Sequence, residues 1–329
     1  MRIFSGIQPT GRKHLGNYIG AIAQYVAGQD RGEAIYCIVD LHAITVPYDP
    51  QALRTSVYDL TALLLAAGLD PERCVLFRQS DRPEHAELTW LLSSVTALGE
   101  LTRMHQFRDK SATQRELVSS GLLFYPVLQA ADVLIYRAHE VPVGEDQREH
   151  IELMRDVARR FNHRYAEDVL VEPEIRVPSV GARIMDLQAP DRKMSTTGGT
   201  PQGTVLVLDE PKTIAKKVRS AVTDSGSDVV RGPDKAGIGN LIEILSAVRR
   251  TTPEEIEREF ADSRYGDFKS AVADAVTERL APVRERYQEL RADEAALEQT
   301  LAYGAEKARG MAAETMADVR RVMGFGRSS

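Results

Sequence analysis

The fold turns on one stretch of sequence, Arg2-Ile3-Phe4-Ser5-Gly6-Ile7 followed by Gln8-Pro9-Thr10-Gly11-Arg12-Lys13-His14-Leu15-Gly16-Asn17. Its first six residues read as a short strand. A Pro-Thr-Gly turn follows, and then a helical pattern from about Leu15 to Ala27. In open α/β sheets, ligands bind beyond the carboxyl ends of the strands. A helix start there offers unpaired N–H groups and a positive dipole end, which suits phosphate. Gly11 and Gly16 let a ligand approach the backbone closely. His14 and Asn17 are three apart, so they share a face of the first helical turn, and both donate hydrogen bonds. The stretch is either a phosphate site or a plain turn with a polar helix cap. No Gly-Lys-Ser/Thr follows, so it is not a Walker A loop, and the Rossmann dinucleotide fingerprint is also absent.

Working outward, Glu33 to Val39 carries a continuous apolar run, as expected of a strand covered on both faces. Residues 51–68 are amphipathic, with Leu53, Val57, Leu60, Leu63 and Leu64 at helical spacing. Cys74-Val75-Leu76-Phe77 is a further short strand. Residues 84–100 and 145–161 read as helices. Short apolar strands alternating with helices predict an α/β fold, a doubly wound parallel Rossmann-type sheet, over residues 1–185. Residues 186–205 are polar and glycine-rich and read as a mobile loop. Residues 206–329 read as a helical domain whose last helix can pack back on the first domain.

The composition is that of an ordinary globular protein. The chain has 329 residues, 43% apolar and 27% charged, and a formal charge of −6. This excludes collagen-like, disordered and disulfide-dense chains. No run of about 18 apolar residues occurs, which argues against a membrane protein. A nucleic-acid-coating protein would be net basic, although a local basic surface remains open. Cys37 and Cys74 lack zinc spacing and read as buried thiols. The start lacks a signal-peptide layout, so a cytoplasmic location is expected.

Three features carry chemistry. Asp132 lies in the apolar run Val127 to Ile135, where an unpaired carboxylate costs several kcal/mol, so it needs a donor from protein or ligand. Gly144-Glu145-Asp146-Gln147 opens the 145–161 helix, where a carboxylate either caps the helix or serves a ligand. Lys193 sits in the glycine-flanked loop and can close over a triphosphate. In the helical half, Lys212, Lys216 and Arg219 share one helix face, with Lys217 adjacent. That stripe either meets phosphates or is simply solvated.

His14-Leu15-Gly16-Asn17 resembles the HIGH signature of class I aminoacyl-tRNA synthetases. Arg192-Lys193-Met194-Ser195-Thr196-Thr197, about 180 residues later, resembles their KMSKS signature. The runs Phe4 to Gly11, Ile38 to Thr45, Ala130 to Leu134, Val141 to Gln147, Gly181 to Met185 and Ser220 to Asp224 resemble the bacterial tryptophanyl-tRNA synthetases, so the resemblance covers nearly the whole chain.

The resemblance implies activation of L-tryptophan with ATP and Mg²⁺ to tryptophanyl-adenylate plus pyrophosphate, then transfer to tRNA(Trp). It implies that Asp132 accepts the indole N–H, with Phe4, His42, Val141 and Val143 as pocket walls. Tyr125 and Gln147 would hold the α-ammonium group. Gln129 stands near the indole where many relatives carry Met. ATP contacts are implied at Gln8, Pro9, Thr10, Gly16 and Asn17. They continue at Gly144 and Asp146 on the ribose, with Glu145 between them, and at Ile184 and Met194 beside the adenine. Lys193, Ser195, Thr196 and Thr197 follow along the second signature. His14, Asn17, Lys193 and Lys110 are the implied catalytic groups, and no metal ligand is implied on the protein. The family pattern has a second lysine where Thr196 stands, and Lys110 is a candidate substitute. A homodimer is implied, with residues 84–123 as a candidate interface, the α/β domain receiving the tRNA acceptor end and the helical domain reading the anticodon. Tyrosine activation, a non-catalytic paralogue and a small-molecule adenylyl or cytidylyl transferase are the competing readings. Replacing Asp132 with Ala is expected to leave the fold intact and weaken tryptophan use.

Overall fold

A computed structural model describes residues 1–108, 118–177, 184–196 and 198–326, with Asp146 described by its backbone. Strands β1 (Arg2–Ile7), β2 (Glu33–Ile38), β3 (Cys74–Arg78), β4 (Glu140–Pro142) and β5 (Glu174–Arg176) form one parallel sheet in the order β3-β2-β1-β4-β5. Phe4 lies opposite Ile35, and Ile3 opposite Glu140. The connections leave β1 toward β2 on one side and reach β4 on the other. A crevice therefore opens beyond the carboxyl ends of β1 and β4.

The continuous apolar runs split by strand alternation into two core layers. Ala34, Tyr36, Ile38 and Leu76 face one layer, and Ile35, Cys37, Val75 and Phe77 face the other. The first layer packs under helix α1, which starts at Leu15–Asn17 and runs through a wider turn at Tyr18–Ile22 to Ala23–Gly28. Helix α3 (Pro50–Ala66) joins it there. Asp49 caps α3 by accepting the Ala52 N–H, and Pro50 fits its first turn. Between β2 and α3 lies the short helix α2 (Asp40–Ala43). The second layer holds α4 (Glu84–Ser93), α6 (Ser120–Leu134) and α7 (Arg148–Tyr165). Cys37 and Cys74 are both buried free thiols.

Residues 84–100 do not form one helix. Helix α4 stops at Ser93, and α5 (Leu98–Arg103) starts anew. Ser93, Ser94 and Thr96 turn their hydroxyls back onto the carbonyls of Trp90, Leu91 and Leu92, which competes with helix propagation. The pattern at 145–161 likewise resolves into a 3₁₀ turn, Glu145–Gln147, before α7 begins.

Beyond residue 210 the chain is helical: α8 (Pro211–Arg219), α9 (Ala236–Arg249), α10 (Pro253–Glu259), α11 (Tyr265–Arg291) and α12 (Glu294–Val322). Phe268, Val272, Val276 and Leu280 of α11 join the first core layer, so this half shares a core with the sheet. Helix α12 returns to cover the backbone of β3, an edge strand. Its closest approach is Gly304, where an added Cβ would lie 1.8 Å from the Leu76 carbonyl oxygen.

Gly310 lies on the same helix with open space around its Cα. Ala at an exposed helical glycine stabilises by about 0.5–1 kcal/mol, whereas forced overpacking costs about 1–3 kcal/mol. Urea unfolding should therefore show Gly310→Ala above the parent protein and Gly304→Ala below it. A Gly304→Ala protein as stable as Gly310→Ala would refute the close docking of α12 on β3.

Candidate active site

A buried polar cluster lies past the carboxyl ends of β2 and β3. Asp132, on α6, is 1% exposed. Its Oδ2 accepts from His42 Nε2 at 2.7 Å, and His42 lies on α2, just past the end of β2. Its Oδ1 accepts from Gln79 Nε2 and from His85 Nδ1, both at 2.6 Å. Gln79 directly follows β3, and His85 lies in the first turn of α4. Burial alone would push this carboxyl up, but the bonds and charges of His42 and His85 prevail and hold it at about 2. Asp132 is therefore an ionised buried acceptor at neutral pH.

Gln79, His85 and Tyr136 are absent from the sequence reading. The position of Gln79 at a strand's carboxyl end was the one available signal for it. His85 Nε2 pairs with the Tyr136 hydroxyl at 2.7 Å, and Tyr136 stacks on Phe4 with ring centroids 5.8 Å apart. Phe4 thus backs onto the Asp132 cluster, with Val141 buried and Val143 half-buried on the β4 side. Tyr125 is buried, bonds His150 Nε2 at 3.0 Å and packs edge-on to His42. Gln129 reaches Gln147 at 3.4 Å, a long contact.

The expectation that Asp132→Ala leaves the fold intact is overturned. Three buried donors depend on this carboxylate, and each left unsatisfied costs about 1–3 kcal/mol. Asp132→Asn keeps the shape and one strong acceptor. The amide oxygen would turn toward the two donors at Oδ1, leaving its NH₂ facing His42.

On the other side of the β1 end, His14 and Asn17 form a reciprocal cap. The Asn17 N–H donates to His14 Nδ1, and the His14 N–H donates to Asn17 Oδ1. Gly16 is needed there, because a Cβ would meet the His14 ring at 3.1 Å. The ring is buried, and burial followed by the charges of Lys193 and Lys13 lowers its pKa to about 4. It is therefore neutral, with its proton on Nε2. Lys13 Nζ donates to the Gln8 and Thr10 carbonyls, both at 3.0 Å, and burial lowers its pKa to about 8. Gln8 and Thr10 are exposed along the loop, and Pro9 is buried beneath it.

The second signature is tied directly to the first. Lys193 bridges Met185, and the Met194 N–H bonds the Ile184 carbonyl. Ile184 and Met194 are both buried, whereas Lys193 and Thr196 are exposed and Ser195 half-buried. Gly11 has φ +66°, and a Cβ there would lie 3.3 Å from Thr196 Oγ1, so the two loops touch. Leu206 pairs with His14 as an antiparallel bridge. Buried Asp186 gathers the glycine-rich stretch by accepting the N–H groups of Gln188, Ala189 and Thr200. Gly203 abuts that carboxylate too closely for any side chain. Asn240 clamps Met185 through both its N–H and its carbonyl.

The remaining candidates are scattered. Gly144 and Glu145 are exposed on the 3₁₀ turn, where Glu145 pairs with Arg148, and the Asp146 backbone lies in the same turn. Lys110, Thr197 and the run Gly181-Ala182-Arg183 lie outside the described residues. In α8, Lys212, Lys216 and Arg219 are exposed. Lys217 is not part of that stripe: it is buried and paired with Asp209 at 2.7 Å.

Comparison with known proteins adds the following. The family described as "tRNA synthetases class I (W and Y)" matches residues 1–281. The tryptophan–tRNA ligase 2 of Streptomyces avermitilis is 51% identical over 98% of this chain and 97% of its own length. The tryptophanyl-tRNA synthetase of Mycoplasma pneumoniae superposes with a TM-score of 0.89 at 33% identity, covering 99% of this chain and 98% of that one. That of Campylobacter jejuni, solved with ADP and tryptophan, superposes with a TM-score of 0.85 at 33% identity, covering 99% and 100%.

A neutral, buried His14 has a measurable signature. Its ring resonances should stay constant as pH falls from neutrality to about 5, and titrate only near 4. Since the unfolded chain takes up this proton first, His14 contributes stability above pH 6.5 that is lost as pH falls toward 4. Lys193→Ala should move the midpoint upward. An NMR midpoint at the ordinary imidazole value of about 6.5 would contradict this environment.

Proposed function

The chain belongs to the class I tRNA synthetases of the tryptophan and tyrosine type, and from that premise we propose how its residues divide the work. The reaction is tryptophan–tRNA ligation. The tryptophan carboxylate attacks the α-phosphorus of ATP, pyrophosphate leaves, and the adenylate then esterifies the terminal ribose of tRNA. No protein nucleophile takes part, so the enzyme acts by positioning and charge stabilisation. One observation carries the assignment. An ionised buried acceptor lies past the ends of β2 and β3, and a loop carrying a neutral histidine follows β1, the next strand of the same sheet.

Asp132 accepts the indole N–H, and Phe4, His42, Val141 and Val143 wall the pocket. Tyr125 and Gln147 receive the α-ammonium group, with Gln129 beside the ring. Gln8, Thr10, His14 and Asn17 hold the ATP phosphates. As a neutral donor through Nε2, His14 bonds a phosphate oxygen without needing to be charged. Lys193, exposed on its loop, neutralises charge as pyrophosphate departs. Thr196 brings a hydroxyl in place of a cation, and Lys110 supplies the second positive charge. Among the described residues no group of three or more His, Cys, Asp or Glu can hold a metal. Mg²⁺ is proposed to arrive on the triphosphate, its usual carrier.

The Lys212, Lys216 and Arg219 face of α8 meets tRNA phosphates, and the helical half reaches the anticodon. The protein works as a homodimer through residues 84–123. Trp90 and Leu98, 75% and 64% exposed, are large apolar side chains in this stretch that a partner subunit would cover. The expected compartment is the cytoplasm; among the described residues no helix is long and apolar enough to cross a membrane.

Two measurements test this reading. In amino-acid-dependent ATP–pyrophosphate exchange, tryptophan alone among the standard amino acids should support turnover. Asp132→Asn should raise KM for tryptophan by about 10- to 100-fold, the worth of one charged hydrogen bond. An unchanged KM would remove Asp132 from the tryptophan site. For the dimer, Trp90 is the single tryptophan of the chain. Its emission should shift to the blue as concentration rises through the dimer range, and Trp90→Glu should sediment as a monomer. A monomeric parent protein would dismiss the proposed interface.

A further inference from the structure

A carboxylate offers about four lone-pair sites. In Asp132 three are filled by this chain: two on Oδ1, by Gln79 and His85, and one on Oδ2, by His42. The Gln79 amide cannot be turned round. Its Oε1 accepts the Leu41 N–H at 3.1 Å, so its NH₂ must face Asp132. The His85 ring is equally fixed. Its Nδ1 proton points at Oδ1, while Nε2 is engaged by the Tyr136 hydroxyl. Gln79 and His85 are both 0% exposed, so no water competes with them.

We infer that Gln79 and His85 are specificity-determining positioning residues, which saturate Oδ1 and leave Asp132 a single open acceptor site, on Oδ2, for the one N–H of an indole. This rests on the reading of Asp132 as the tryptophan anchor. A carboxylate with both oxygens free can rotate or recruit water, and then it tolerates a ring without a donor. A carboxylate clamped at Oδ1 has one direction left to satisfy. A ring lacking an N–H leaves that direction empty and buried, and sites of this kind discriminate strongly. His42, 7% exposed, stands at the open side and keeps the second position on Oδ2 occupied.

The test compares tryptophan with 3-benzothienylalanine, in which sulfur replaces the indole N–H, by the ratio of their kcat/KM values in pyrophosphate exchange. His85→Leu should lower that ratio about tenfold or more, mainly by losing tryptophan while the sulfur analogue holds. His85→Asn places an amide N–H near the position of Nδ1 and should restore most of the ratio. Gln79→Met, which keeps the shape and loses the donor, should act like His85→Leu and carries the test if that variant does not fold. Equal losses for both substrates, with the ratio at its parent value, would show a merely structural role and overturn the inference. Asp132→Asn separates the two levels. If it also keeps the parent ratio, the anchor reading falls and this inference with it. If it collapses the ratio while Gln79→Met and a folded His85 variant preserve it, only the inference is overturned.

Discussion

A carboxylate shut away from water must be supplied with donors from every side, and around Asp132 that requirement organises half the molecule. The donors arrive from the ends of β2 and β3 and from the start of α4. Each sits where a strand hands over to a helix, so the sheet must be in register for the three to converge. Leu41 fixes Gln79, and Asp40 fixes the same turn through the Ser80 N–H and hydroxyl. Asp40 is itself buried, and burial raises its pKa. The cluster is thus a network in which each polar group orients the next. Such networks stabilise only when complete, which makes this one a determinant of a single arrangement.

The turn between β1 and α1 is built by a different rule. His14 is buried and Asn17 half-buried there, while Gln8, Thr10 and Lys193 are exposed, and the backbone supplies the support. The loop after β1 is braced from below by Lys13 and from the side by Val205, Leu206 and Val207, which pair with Leu15, His14 and Lys13. The second signature reaches the first through Gly11 and Thr196, and its own shape comes from Asp186 and Asn240. Two of the three glycines of the 195–203 stretch are explained by close approach, while Gly198 has room for a Cβ. Gly203 lies against the Asp186 carboxylate and Gly199 against the Ser195 carbonyl. The helical half enters this side too, because Lys217 ties α8 to the Thr204 carbonyl and to Asp209. A shift of that half therefore bears on the loop that carries Lys193.

Much of this was legible beforehand. The strand–turn–helix at Arg2 to Asn17, the apolar runs at Glu33 and Cys74 and the helix at 50–66 all follow local periodicity, and they form where that periodicity puts them. Strands β4 and β5 have three residues each, too short for any pattern to show. The break between α4 and α5 was hidden because Ser and Thr act there through hydroxyl bonds, not through hydrophobic spacing. Asp132 stood out as a polar residue in an apolar run. Gln79 and His85 did not, since each lies among other polar residues and becomes buried only when α4 and α6 close over the sheet.

Local sequence carries the alternation of strands and helices, the strand–turn–helix at Arg2 to Asn17 and the need of Asp132 for a donor. These depend on neighbours within a few residues, or on the cost of an isolated charge. Packing in three dimensions sets which donors Asp132 receives, which ring nitrogen of His14 carries its proton, and that Lys217 turns inward while Lys212 and Lys216 stay out. The donors of Asp132 lie 47 to 90 residues from it in sequence, and the states of His14 and Lys217 depend on the low dielectric that forms once the layers have packed.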